Sequence, residues 1–193
     1  MSLLLFLSII GACVFWLISI YNKLIRLVEA VNNNKKQIDI QLDRRFKVYE
    51  SLIGVLKKYM DYEKTTLKEI ISLRAQAKQA QEQNNELDRI KAENEISKIG
   101  TNLNVMFEQY PDLKADKNAL QLQEEIVSTE NKLTFAKQAY NDSIEQYVAT
   151  SKSFLESIIV GIFPSKLLKQ FNYWSLTDNV RQEHENYKLN FDG

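Results

Sequence analysis

The chain opens with an unbroken apolar run and continues with apolar stripes spaced three and four residues apart. Residues 3–20 read LLLFLSIIGACVFWLISI and carry no charge. A helix of this length spans about 27 Å at ~1.5 Å per residue, close to the ~30 Å hydrocarbon thickness of a bilayer. Trp16 and Tyr21 stand near its downstream end, where aromatic rings favour the membrane interface. We therefore predict that residues 3–21 form a retained transmembrane helix.

Two alternatives compete with this prediction. A cleaved signal peptide would need a basic first region and small residues at the cleavage site, whereas this chain offers Met1-Ser2 and a bulky exit at Tyr21. A core helix of a soluble domain is the other, but such a helix is rarely apolar on every face.

Two long stripes predict the outer helices of a bundle, because apolar residues that alternate by four and three lie on one helix face. The first stripe consists of Ile38, Leu42, Arg45, Tyr49, Leu52, Leu56 and Tyr59. The second consists of Leu122, Ile126, Thr129, Leu133, Ala136, Tyr140, Ser143 and Tyr147. Only five glycines and two prolines interrupt the chain, which favours long helices.

Two shorter helices are predicted between them. Thr66 and Glu69 offer a capping box for the second helix, and the polar residues 81–85 indicate a loop. Asn85 is the candidate N-cap of the third helix, with its stripe running through Ile96 and Ile99, and Asp116 is the candidate N-cap of the fourth.

The predicted fold is all-α. An N-terminal transmembrane helix continues into an antiparallel four-helix up-and-down bundle, because short connections favour antiparallel neighbours. A short apolar helix follows near the C-terminus. We assign the transmembrane helix to residues 3–21, the bundle to 22–150, a short apolar and aromatic membrane-proximal segment to 151–176 and a polar tail to 177–193.

The membrane-proximal segment contains residues 154–163, FLESIIVGIF, which are too few to cross a bilayer. Lys166, Lys169 and Trp174 follow, and basic and aromatic residues beside aliphatic ones suit a membrane interface. The alternative is a short helix that packs on the protein itself.

Charge and composition exclude several functions. The 25 basic and 25 acidic residues give a formal net charge of zero, which argues against a nucleic-acid-binding protein. The single cysteine, Cys13, lies in the apolar run, and the single histidine, His184, lies in the tail, so neither a catalytic Cys-His set nor a Glu-x-x-His metal site can be built. The scattered glycines form no phosphate-binding loop. We expect no catalytic residues, metal, cofactor or small-molecule substrate.

One charged residue stands on an apolar stripe. Arg45 needs a carboxylate there, because a buried unpaired charge is costly, and Glu130 beside the stripe of the fourth helix is the partner we predict. A network that fixes the register of the helices is one interpretation, and a ligand or partner site is the other. Further candidate members of the network are Asp39, Gln41, Arg44, Asn131, Tyr140 and Asn141.

Several blocks of the chain, in order, resemble the LemA family. They are YNKL at residues 21–24, QIDIQLDRR at 37–45, YPDLKA at 110–115, TENKL at 129–133 and YND at 140–142. The resemblance implies a membrane-anchored four-helix bundle without an assigned reaction. One branch of the family is associated with formation of magnetosome membranes, which favours a role in membrane organisation.

Three hypotheses about function follow. The first is a non-enzymatic scaffold in the bacterial inner membrane that forms homo-oligomers and organises the bilayer or its associated partners. The second is a signalling adaptor that binds a soluble protein through the loop Tyr110, Pro111, Asp112 and Lys114. The third is an enzyme whose pocket encloses Arg45 and several carboxylates.

The basic residues near the apolar run predict the membrane orientation. No Lys or Arg precedes the run, and four follow it: Lys23, Arg26, Lys35 and Lys36. We therefore expect a single-pass protein with a cytoplasmic bundle.

Overall fold

The computed structural model describes residues 2–56, 63–109 and 116–175, and all regular structure within these ranges is helical. The helices are α1 (Ser2–Leu56), α2 (Glu63–Glu82), α3 (Glu86–Gln109), α4 (Lys117–Ser151), α5 (Phe154–Ile162) and α6 (Pro164–Leu167). The predicted all-α class, with an apolar N-terminal helix and a short apolar helix near the C-terminus, is confirmed. The predicted partner loop (Tyr110, Pro111, Asp112 and Lys114) and the tail 177–193 lie outside the described residues.

The turn between α2 and α3 is shorter than predicted. Helix α2 continues through Gln81 and Glu82, because both residues have good helix propensity despite their polarity. The N–H of Asn84 donates to the carbonyl of Gln81 (3.1 Å), and the N–H of Asn85 donates to the carbonyl of Ala80 (2.8 Å). Asn84 has φ 56°, so this helix ends in a Schellman motif with Asn84 at its left-handed position.

Two of the three predicted helix starts are correct. The Asn85 side chain accepts from the N–H of Asp88 (3.3 Å), and the Asp116 carboxylate accepts from the N–H groups of Asn118 (2.8 Å) and Ala119 (3.2 Å). Each therefore satisfies N–H groups that lack partners in the first turn of a helix. The prediction that Thr66 caps α2 is wrong, because α2 begins at Glu63 and Thr66 lies inside it.

The chain divides into two compact units, and α1 and α4 each contribute to both. The first unit comprises Met1–Asp39 and Thr134–Tyr173. The second comprises Ile40–Leu133 and, from the described part of the C-terminal segment, Trp174 and Ser175.

Four helices contribute to a hydrophobic core in the second unit. Its buried members are Val48, Tyr49, Leu52 and Ile53 of α1, Ile70 of α2, Ile96 of α3, and Ala119 and Ile126 of α4. The members of the predicted α1 stripe from Ile38 to Leu52 are buried, as expected for an amphipathic helix in a bundle, and Tyr59 lies outside the described residues. Trp174 packs against α3 of the same unit, where the Arg89 guanidinium lies 5.6 Å from the centre of the indole ring.

The first unit holds α5 and α6 against α1 and α4. Ile159 of α5 and Leu167 of α6 form a buried cluster with Ile20 and Leu24 of α1. The Tyr147 hydroxyl of α4 donates to the Leu167 carbonyl and accepts from the N–H of Lys169 (3.0 Å). One face of α5 therefore packs on the protein, as one of the two alternatives for this segment expects.

The Schellman turn gives a prediction about stability. We expect Asn84→Val to lower the melting temperature by roughly 2–8 °C, because a β-branched residue in the left-handed region costs about 1–2 kcal/mol. Asn84→Gly is the matched control and should melt at the same temperature or higher, since glycine adopts this conformation freely. Circular dichroism of the full chain in mild detergent measures both. An equal loss for the glycine variant would contradict the assignment.

Candidate functional site

A buried ion pair between α1 and α3 lies at the centre of the second unit. The side chains of Arg45 and Glu93 are each 1% exposed, and the Arg45 guanidinium contacts the Glu93 carboxylate directly. The same guanidinium donates to the Glu93 carbonyl (3.1 Å) and to the Ser97 hydroxyl (2.6 Å). Because Glu93 and Ser97 are one turn apart on α3, both face Arg45. The predicted need of Arg45 for a carboxylate is met mainly by Glu93.

The predicted partner, Glu130 of α4, contributes at longer range. Arg45 Nη1 lies 3.7 Å from Glu130 Oε1, beyond hydrogen-bonding distance, whereas the Tyr49 hydroxyl donates to that oxygen at 2.7 Å. Burial is the main cause that raises the pKa of Tyr49 well above its usual value, and the negative charge of Glu130 adds to it. Tyr49 is therefore a neutral donor to Glu130 at physiological pH.

A second guanidinium extends the pair to α2. Arg74 Nη1 donates to Glu93 Oε1 at 3.0 Å, and Arg74 Nη2 lies 3.6 Å from Asp43 Oδ1. Asp43 also pairs with Lys47 at 2.8 Å, and the hydrogen bond with this lysine is the main cause that lowers the pKa of Asp43. The resulting cluster, which we call the charge cluster, consists of Asp43, Arg45, Tyr49, Arg74, Glu93, Ser97 and Glu130.

The charge cluster joins all four helices of the second unit by polar contacts. Each carboxylate in it has a cationic or hydroxyl partner, which is the condition under which buried charges are tolerated. We expect such a network to favour one register of the helices, since sliding a helix by one turn would leave Arg45 or Glu93 unpaired.

A cavity of about 290 Å³ adjoins the charge cluster. Its lining residues are Tyr49, Ser97, Gly100, Ile126, Val127, Glu130 and Asn131. The carboxylate of Glu130 is thus accessible from this side, while Arg45 and Glu93 are enclosed by protein groups. Within the described part of the chain, His, Cys, Asp and Glu side chains do not gather in threes at metal-binding distance.

The remaining candidate residues have separate places. Arg44 pairs with Glu125 on the surface of the second unit, and Asn131 is exposed at the cavity. Gln41 has a buried side-chain oxygen that accepts no hydrogen bond from the described residues. Asp39, Tyr140 and Asn141 belong to the first unit, where the Tyr140 hydroxyl donates to the Asn172 carbonyl at 3.1 Å. Tyr140 therefore fixes the segment after α6.

Sequence reasoning did not identify Glu93 or Ser97 as members of this cluster. Glu93 stands three residues before Ile96 and therefore lies on the same face of α3 as the apolar stripe. The signal that identifies the pair is a carboxylate on the apolar face of one helix together with an arginine on the apolar face of another.

Breaking the central pair should be costly. We expect Arg45→Met to lower the free energy of unfolding by about 3–5 kcal/mol, because Glu93 remains buried with part of its charge uncompensated. Adding Glu93→Leu should recover most of the loss, since the apolar pair leaves no charge in the core. Denaturant unfolding of the full chain in mild detergent measures both variants.

Arg44→Met is the matched control for Arg45→Met. The side chains of Arg44 and Glu125 are 40% and 37% exposed, and the loss of an exposed ion pair costs about 0–1 kcal/mol. Equal losses for the two arginine variants would show that burial of the pair does not determine its contribution.

Gly100 gives a third prediction, because its missing side chain leaves room for Tyr49. A Cβ atom at residue 100 would overlap the Tyr49 hydroxyl, so Gly100→Ala must displace the group that donates to Glu130. We expect a loss of about 1–3 kcal/mol in the free energy of unfolding, as for other overpacked sites. Gly54→Ala is the control: nothing lies within 4 Å of its Cβ position, and alanine should stabilise this helix by roughly 0.5–1 kcal/mol. Stabilisation by both substitutions would refute the close approach.

Comparison with known proteins gives consistent results. The sequence model of the LemA family matches residues 34–191, which is most of the chain. A relative named Protein LemA, from Metamycoplasma hominis, is 32% identical over 146 residues. The alignment covers 72% of this chain and 63% of the relative, so the chain spans less than two thirds of that protein's length. The chain belongs to the LemA family.

Proposed function

We propose that this protein is a non-enzymatic scaffold, anchored in the bacterial inner membrane by the first part of α1, that self-associates and organises the bilayer or its associated partners. The observation that carries the proposal is the exposed apolar surface of α1. Helix α1 is long and apolar enough to cross a membrane, and only 6% of its most apolar window is buried. In water, such a surface would far exceed the apolar patches that soluble monomers expose.

The charge cluster supports the non-enzymatic part of the proposal. Arg45 and Glu93, its central pair, are enclosed by protein groups and offer no surface to a substrate. The LemA family is not known as a family of enzymes. The cluster's contacts are accounted for by a role in holding four helices in register.

The flanking charges support a cytoplasmic bundle. Lys23 and Arg26 follow the apolar run within two turns, and both are exposed. Basic residues beside a span are retained on the cytoplasmic side.

The anchor is tested by membrane extraction. We expect the wild-type protein to stay in the membrane pellet in alkaline carbonate. The double variant Ile9→Lys, Ile10→Lys should be released, because each lysine in the middle of a span costs about 2.5–3.5 kcal/mol. Ile40→Lys with Ile71→Lys adds the same charge at exposed apolar positions of the second unit and should stay in the pellet. Release of the wild-type protein by carbonate would end the proposal.

Self-association has its own test. Crosslinking in native membranes, followed by size analysis in mild detergent, should give a uniform oligomer. A strictly monomeric particle in both measurements would leave the anchor in place but contradict the scaffold.

Binding of a soluble partner is the alternative function. It predicts that replacing residues 110–114 removes a bound protein while the fold survives.

A further inference from the structure

Helix α5 presents more apolar surface than its contacts in the first unit cover. Ile159 is buried against Ile20 and Leu24, but Phe154 is 81% exposed, Ile158 50% and Ile162 60%. Residues 154, 158 and 162 are four apart and therefore form one stripe, next to the stripe that packs on α1. A nine-residue helix is too short to cross a bilayer. The exposed stripe of α5 is therefore not the surface of a transmembrane helix, and something else must cover it.

The exposed stripe adjoins an apolar groove between α5 and α1. The groove has a volume of about 450 Å³ and is lined by Val14, Leu17, Ile18, Tyr21, Ile159, Ile162 and Phe163. Tyr21 and Phe163 meet edge to face at one end, with ring centroids 5.1 Å apart. Val14, Leu17 and Ile18 belong to the apolar run of α1. The surroundings that cover this run therefore also contact the α5 side of the groove.

The position of α5 along α1 matches the depth of an interfacial helix. Lys23 Nζ pairs with Glu156 at 3.1 Å, which sets the start of α5 just beyond the uncharged run. From Tyr21 to Val14 the groove extends about 10 Å along the α1 axis at ~1.5 Å per residue. Amphipathic helices that lie in the interface bury their apolar face by about 5–10 Å.

The basic residues at the two ends of α5 also fit a membrane interface. Lys152 precedes the helix, and Lys166 and Lys169 follow it within two turns; all three side chains are exposed. Exposed Leu168 and Tyr173 continue the apolar surface among these basic residues. Basic residues beside apolar and aromatic ones bind the anionic headgroups and acyl chains of a bilayer surface.

We infer that α5 and the residues up to Tyr173 form a lipid-binding site, in which the stripe Phe154, Ile158 and Ile162 inserts into the leaflet where α1 leaves the membrane, and acyl chains occupy the groove. The inference rests on the proposed anchor, since the depth of α5 is defined relative to α1. It gives the protein a second membrane contact, which fixes the tilt and rotation of α1 in the leaflet.

Depth-dependent fluorescence quenching tests the inference on the full chain. The protein is reconstituted in vesicles of phosphatidylcholine and phosphatidylglycerol and labelled with bimane at single cysteines. One label is on the native Cys13, and the others are at Ile158→Cys or Gln138→Cys in a Cys13→Ser background. Acyl chains brominated near the headgroup or near the methyl end quench from inside the bilayer, and iodide quenches from water.

Each position has its expected result. Cys13 lies about 15 Å along α1 from Leu3, near the middle of the run, so lipids brominated near the methyl end should quench it most strongly. The label at residue 158 should be quenched most strongly by lipids brominated near the headgroup, and weakly by iodide. Gln138 is exposed beside Ala139, whose carbonyl accepts from Asn34, so it lies about 20 Å beyond Tyr21. Its label should respond to iodide alone.

The other outcomes separate the inference from the proposed function. If brominated lipid quenches Cys13 but the residue-158 label responds only to iodide, the anchor stands and the lipid site is refuted. Protection of residue 158 from both quenchers would place a protein surface, such as a second copy of this chain, on the stripe and also refute it. Failure of brominated lipid to quench Cys13 would refute the anchor and, with it, the inference.

Discussion

The burial of a guanidinium among apolar side chains is the constraint on which the second unit depends. Arg45 is enclosed on an α1 stripe whose neighbouring members Leu42, Tyr49 and Leu52 are buried as well. An uncompensated charge there would cost more than the core around it can offset. Side chains of α3 and α4 surround Arg45, and the Glu93 carboxylate is the closest of them. We expect these contacts to favour one set of neighbouring helices and one level at which they meet, because apolar contacts alone tolerate sliding.

In the first unit, side chains of α4 hold a segment that has little regular structure, residues 168–173. After α6 the backbone of residues 168–173 cannot satisfy its own polar groups as a helix would. Tyr147 and Tyr140, two turns apart on α4, supply hydroxyls to the Leu167 and Asn172 carbonyls, and Phe171 packs edge to face on Tyr147 with ring centroids 5.5 Å apart. The two tyrosines thus act as side-chain partners for a returning segment while their rings fill the core.

The sequence was sufficient for much of this fold and for part of the charge cluster. The stripes of α1 and α4 predicted their buried faces, because each is long and regular, and Asn85 and Asp116 were identifiable as caps. The second carboxylate was harder to predict. Glu93 is recognisable only by its place three residues before Ile96 on the apolar face of α3, and Glu130 was the more prominent acidic neighbour. The partners of Tyr140 and Tyr147 are backbone carbonyls up to 32 residues away, and no residue pattern encodes such contacts. Polar composition also misled the prediction of the loop at residues 81–85, since Gln81 and Glu82 favour helices.

The two units differ in what they leave exposed, and this difference bears on function. In the second unit the charged side chains of Arg45 and Glu93 are buried and neutralise each other. The first unit exposes the opposite kind of group, because aliphatic and aromatic side chains of α1 and α5 remain uncovered by the chain itself. Exposed apolar area of this extent contributes favourable free energy only when something apolar covers it, at about 25 cal/mol per Å². Much of the apolar area that a partner could cover therefore lies in the first unit, and it favours lipid or another apolar surface over a polar ligand.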